Sequence, residues 1–142
     1  MNYLSLDDAL YVHNQTIKYS LGGANGALEI GKLDSVLQNI QNDDYYPTLT
    51  DKLTHLFFCA CKFHCFEDGN KRIAITLCVK FLLDNNFTRL ANNFMVQTEN
   101  ISYFVAAGKI DKEFLSTLID AIINDNYENN LELKLKLLEV VQ

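Results

Sequence analysis

Apolar residues recur at helical spacing along most of this chain, and polar runs interrupt them at a few sharp places. Ser5 to about Ser20 reads as a first helix. Ser5 is placed as a cap, Asp7 and Asp8 fall in the first turn where acids suit the helix dipole, and Leu6, Ala9, Leu10, His13 and Ile17 form one stripe. His13 on that stripe reads as a packing residue. Lys32 to Gln41 predicts a short helix with Leu33, Val36, Leu37 and Ile40 on one side.

Two segments are apolar nearly all round, as befits central helices: Leu53 to Phe63 and Ile73 to Leu83, the second ended by Asp84-Asn85-Asn86. His55 lies inside the first and reads as structural. Asn93 to Ala107 has helical spacing through Phe94, Ile101, Phe104 and Val105. Gly108-Lys109 makes a turn, and Asp111 caps a helix through Ile123. After the polar stretch 124–130, Leu131 to Val141 alternates as L-E-L-K-L-K-L before L-L-E-V-V. That pattern leaves a strand, a short helix and a docking tail open. The pattern predicts an all-α fold of five or six helices, with a main domain over 1–124 and an extension over 125–142.

Two irregular segments stand out. Gly22 to Gly31 reads G-G-A-N-G-A-L-E-I-G, a loop without the strand context of a dinucleotide fingerprint. Asn42 to Thr50 carries the only proline, Pro47, with Tyr45 and Tyr46. These tyrosines suit either a site rim or packing over a helix edge.

With 142 residues the chain supports one ordinary core. The net charge is -6, and no Lys/Arg run exceeds two residues, which argues against a broad nucleic-acid footprint. A small basic pocket on an acidic protein remains open. No stretch reads as a signal peptide or a membrane span, so the cytoplasm is the expected location. Cys59, Cys61, Cys65 and Cys78 crowd into a short span and read as reduced, mostly buried thiols. A zinc site from Cys59, Cys61, His64 and Cys65 would have the wrong spacing for the usual knuckle.

The chemistry gathers at residues 64–72, H-C-F-E-D-G-N-K-R, between the two central helices. Gly69-Asn70-Lys71 opens the second of them. A helix start offers unpaired N–H groups and a positive dipole end, and phosphate is its natural partner. Acids suit such an end and bases do not, so Lys71 and Arg72 make sense if an anion sits there. His64 can take a proton from a hydroxyl near neutral pH, and Asp68 can ligate magnesium. Phe66 would point inward and pin the loop. Asp68 and Arg72 are also spaced for a simple salt bridge. Phosphate chemistry on a nucleotide and a structural turn laced by ion pairs both fit these residues.

The nine residues resemble the signature of the Fic/Doc superfamily, and more narrowly its death-on-curing branch, H-x-F-x-D-(G/A)-N-K-R. L-S-L-D-D-A-L-Y-V-H-N from Leu4, Gly22-Gly23, G-K-L-D-S-V-L-Q from Gly31, K-F-L-L-D-N-N-F from Lys80 and A-A-G-K-I from Ala106 are similar to that branch's flanks, so the likeness spans roughly 4–123. It implies a compact helical bundle with the motif loop between two central helices, with room for a small β-hairpin flap. It implies transfer of part of a nucleotide, ATP with Mg2+, to a protein hydroxyl.

Fic-type members move AMP, and their motif ends G-N-G-R. Here Lys71 stands at the second glycine's position, as in the death-on-curing branch, which phosphorylates a translation elongation factor. By that resemblance His64 is the general base and Phe66 anchors the loop. Asp68 holds the metal or orients the acceptor, Gly69 and Asn70 help cradle phosphate, and Lys71 and Arg72 bind its oxygens and offset developing charge. The resemblance also implies a toxin restrained by a small antitoxin protein. No S/T-x-x-x-E-(G/N) inhibitory pattern occurs in the chain. Cys65 replaces a common proline, Ile73 replaces a common threonine, and 124–142 extend past the likeness.

Overall fold

The computed structural model describes residues 1–19, 29–63 and 69–142. Among them the chain is all α-helix, with no strand. The helices are α1 (Leu6–Tyr19), α2 (Ile30–Asn39), α3 (Leu49–Lys62), α4 (Asn70–Asp84), α5 (Thr88–Gln97), α6 (Glu99–Ala106), α7 (Lys112–Ile123) and α8 (Leu131–Val141). The sequence pattern counts five or six. The β-hairpin flap has no counterpart among the described residues.

α3 and α4 form the centre. Thr48 starts α3 with a reciprocal cap: its hydroxyl accepts from the Asp51 N–H, and Asp51 accepts from the Thr48 N–H. Leu53, Leu56 and Phe57 of α3 and Ala74, Leu77, Phe81 and Leu82 of α4 are wholly buried. Burying such a side chain contributes roughly 1.5–3 kcal/mol. Cys78 Sγ lies 3.8 Å from the Leu53 carbonyl, so late α4 runs beside early α3 and the pair is antiparallel.

α1 lies along α4. At one end the backbone N–H of Asn2 donates to Asn85 Oδ1 at 2.7 Å, and Asn85 Nδ2 donates back to the Asn2 carbonyl at 2.9 Å. Further along, the Thr16 and Thr76 hydroxyls meet at 3.0 Å. Ala9, His13 and Ile17 face inward, so His13 sits in the packed stripe.

Two expectations change. The single helix over 93–107 is instead α5 and α6, and α5 begins earlier, at Thr88. Thr98 makes the break. Its side chain is fully buried and its hydroxyl donates back to the Phe94 carbonyl at 2.6 Å. Its backbone stands at φ -96, ψ -1, so a new axis starts there. This redirects Ile101 and Val105 into the core independently of Phe94.

The ambiguous segment 131–141 is the helix α8, capped by Asn130, whose Oδ1 accepts from the Leu133 N–H at 3.0 Å. Alternating leucines hid the helix because α8 is apolar on two faces. Leu133 is buried and Leu137, Val140 and Val141 pack on the core, while Leu131, Leu135 and Leu138 point outward.

Candidate anion site at the start of α4

The start of α4 carries every motif residue that the structure describes: Gly69, Asn70, Lys71 and Arg72. His64, Cys65, Phe66, Glu67 and Asp68 lie outside the described residues, so the general base, the loop anchor and the metal ligand have no placement here. The zinc alternative shares this fate for His64 and Cys65. Cys59, Cys61 and Cys78 are buried.

Gly69 is the N-cap of α4 at φ 82, ψ 12, in the left-handed region that favours glycine. A Cβ built there would stand 2.7 Å from Ile17 Cδ1. Backbone angle and space therefore both require glycine. The contact also shows how α1 bears on the site. Ile17 packs against the motif glycine, and the Thr16–Thr76 bond fixes α1 beside α4. Sequence reasoning placed Ile17 on a core stripe and missed this role. No local signal marks a contact between residues so far apart in the chain.

The Gly69 carbonyl accepts from the Ile73 N–H at 2.8 Å, which closes the first α4 turn. Gly69 has no side chain to cap the first turn, and that turn contains no acid. Lys71 and Arg72 occupy it instead. Cations at the positive end of a helix oppose its dipole, by about 0.3–1 kcal/mol when exposed. A glycine-led helix start that carries two cations can hold an anion such as phosphate.

The surroundings add positive charge. Burial pushes the Cys61 thiol up to about 12, and the nearby Lys71 and Lys62 cations pull against that shift. Lys71 and Lys62 thus both bear on the buried junction between α3 and α4. Lys32 of α2 places its ammonium 5.7 Å from the Phe63 ring centroid at the end of α3, and its charge is offset by an ion pair with Glu29 at 3.0 Å. Among the described residues no group of three or more His, Cys, Asp or Glu side chains could hold a metal ion.

The two remaining sequence candidates belong elsewhere. His55 is buried near the start of α3, with the Tyr46 ring 4.5 Å away and the Lys112 ammonium donating to its Nδ1 at 2.8 Å. Burial first, and the Lys112 cation second, lower its pKa to about 4, so it is neutral at ordinary pH. Tyr46 thus packs over a helix edge, while Tyr45 is exposed. No helix among the described residues is long and apolar enough to cross a membrane.

No curated protein and no solved structure matches the chain. The family model described as Fic/DOC family matches residues 3–82, which run from α1 to near the end of α4 and include the whole polar run. Such membership is consistent with nucleotide-dependent group transfer. With more than half its length matched, the chain belongs to the Fic/DOC family.

Proposed function

We propose that the protein transfers the terminal phosphoryl group of ATP to a Ser or Thr hydroxyl of a target protein, such as a translation factor. We further propose that it does so as the toxin of a toxin–antitoxin pair. The observation that carries this reading is Lys71 in the first turn of α4, two residues after the left-handed Gly69. A glycine at position 71 would leave room and bare N–H groups for a diphosphate. Lysine fills that room and puts a point charge in it, which disfavours the pose for AMP transfer and favours a terminal phosphate.

The residue roles follow the family motif. His64 takes the proton as the acceptor oxygen bonds to the γ-phosphorus. The bond from that phosphorus to the bridging oxygen breaks, and ADP leaves with the electron pair. Lys71 and Arg72 offset the charge on the transferring group, and Gly69 and Asn70 hold the phosphate oxygens. Asp68 would hold Mg2+, which when bound neutralises phosphate charge.

Incubation with ATP labelled at the γ- or the α-phosphate tests this reading in a lysate freed of any antitoxin. The γ-label alone should appear on a target protein. Transfer of the α-label, with the mass gain of AMP, would replace kinase chemistry by AMP transfer. Nucleotide binding without labelling of any protein would leave a non-catalytic module.

A further inference from the structure

A second polar cluster lies at the other end of α3, roughly 18 Å from the motif at the usual helical rise. A shallow cleft of about 370 Å3 opens there between the first turns of α3 and α7 and the loop before α3. Asp51 and Thr54 line it from α3, Lys112, Glu113 and Ser116 from α7, and Tyr46 from the loop.

Two of these groups are incompletely satisfied. Thr54 is 3% exposed, and its hydroxyl has no hydrogen-bond partner. Buried hydroxyls nearly always have one, so an orphan on a residue that lines a cleft calls for an explanation. Lys112 gives one N–H to His55 Nδ1 at 2.8 Å and sits 5.8 Å from the Tyr46 ring centroid. Among the described residues it has no carboxylate at ion-pair distance, and two of its N–H groups remain for another acceptor. Ser116 follows one helical turn after Lys112 and shares its side of α7.

The signs of the charges select the ligand. One lysine against the carboxylates of Asp51 and Glu113 leaves the lining with a net negative charge. A phosphate dianion would be repelled, and a simple cation would meet Lys112. Asp51 is already engaged by the Thr48 N–H and hydroxyl. Glu113 makes no ion pair among the described residues.

We propose that this cleft binds a free α-amino acid or a zwitterion of similar size. Its carboxylate lies on Lys112 and Ser116, and its ammonium on Glu113. The Thr54 hydroxyl donates to the same carboxylate. This site is independent of the nucleotide reading and stands whether or not that reading holds.

Thermal-shift and 15N NMR titrations of the full chain test it, using each common L-amino acid with acetate, methylamine and inorganic phosphate as controls. At least one amino acid should bind saturably with a Kd below about 10 mM and perturb the Thr54, Lys112 and Ser116 amides. Lys112→Gln and Thr54→Val should each weaken it by about tenfold or more. Thr54→Val removes an orphan hydroxyl at nearly constant shape, so it should melt no lower than the parent and serve as the folded control. Flat titrations with every amino acid would overturn the proposal. So would equal binding of acetate or phosphate, or affinity that survives both substitutions.

Discussion

The two central helices begin in opposite ways. α3 closes its own start: Thr48 and Asp51 exchange hydrogen bonds, and the carboxylate faces the positive end of the dipole. α4 begins at a left-handed glycine, with no capping side chain, no acid in its first turn, and Lys71 and Arg72 where acids would be favourable. The bundle can plainly build a self-sufficient helix start, since α3 and α7 both have one. α2 and α5 also start without a capping side chain or a first-turn acid, and α4 differs from them in its left-handed glycine and its two adjacent cations. An end that is unfavourable alone and favourable around an anion is how a binding site differs from a structural cap.

The largest effect that separates the two ends is chemical. His64→Ala should lower γ-label transfer by at least about a thousandfold, because loss of a general base and its hydrogen bond removes a major part of the barrier reduction. Melting temperature should stay near that of the parent, and nucleotide affinity should change little. Comparable loss of binding and transfer would instead make His64 a structural residue.

The next effect belongs to the α3 end and is read by pH. His55 has its pKa lowered from 6.5 to about 4 by burial and by Lys112. Between those values the unfolded chain binds the proton and the folded chain does not, so stability rises with pH. The contribution is complete above about pH 6.5 and is lost as pH falls toward 4, up to about 3 kcal/mol in all. His55→Gln keeps a polar side chain and cannot titrate. Urea unfolding of parent and variant near pH 7 and near pH 4.5 should show a shallower acid loss in the variant. Equal slopes would mean that the imidazole is not held neutral.

These two ends were unequally legible in the sequence. The α4 start was readable because its signals are adjacent: glycine, asparagine, lysine and arginine in one run beside an apolar helix. The α3 cap was not read, although Thr48 and Asp51 stand three apart, because the nearby proline and tyrosines marked the stretch as irregular. The His55 environment depends on Asn39, Tyr46 and Lys112, which the fold gathers from three elements. Ile17 against Gly69 is likewise a tertiary fact. The break at Thr98 was missed because a buried threonine looks in sequence like one more helical residue. The two-faced leucines of α8 supplied both periods at once.

Charge reversal at α4 sharpens the comparison further. Lys71→Glu places an acid in the first turn of α4, as α3 has one in its own. Stability should rise by up to about 1 kcal/mol through the dipole, while affinity for ATP should fall by about tenfold to a hundredfold. The opposite signs are the point. A residue that only supports the fold would lose or gain in both measurements together. Chemical denaturation and calorimetric titration of the same preparation read the two effects side by side.

The smallest effect tests whether the α3 start is as closed as its geometry says. Thr48→Ala deletes the hydroxyl that accepts from the Asp51 N–H at 3.1 Å and donates to the Asp51 carboxylate at 2.8 Å. One cap of this kind is worth about 1 kcal/mol. Denaturant unfolding should show that loss with an unchanged m-value, since the surface exposed on unfolding stays the same. Transfer of the γ-label should be unaffected, because the cap holds its own helix and lies at the end of α3 remote from the motif. If Thr48→Ala instead changed ATP affinity, the two helix starts would be coupled through α3, and their contrast would reflect one shared mechanism rather than two separate jobs.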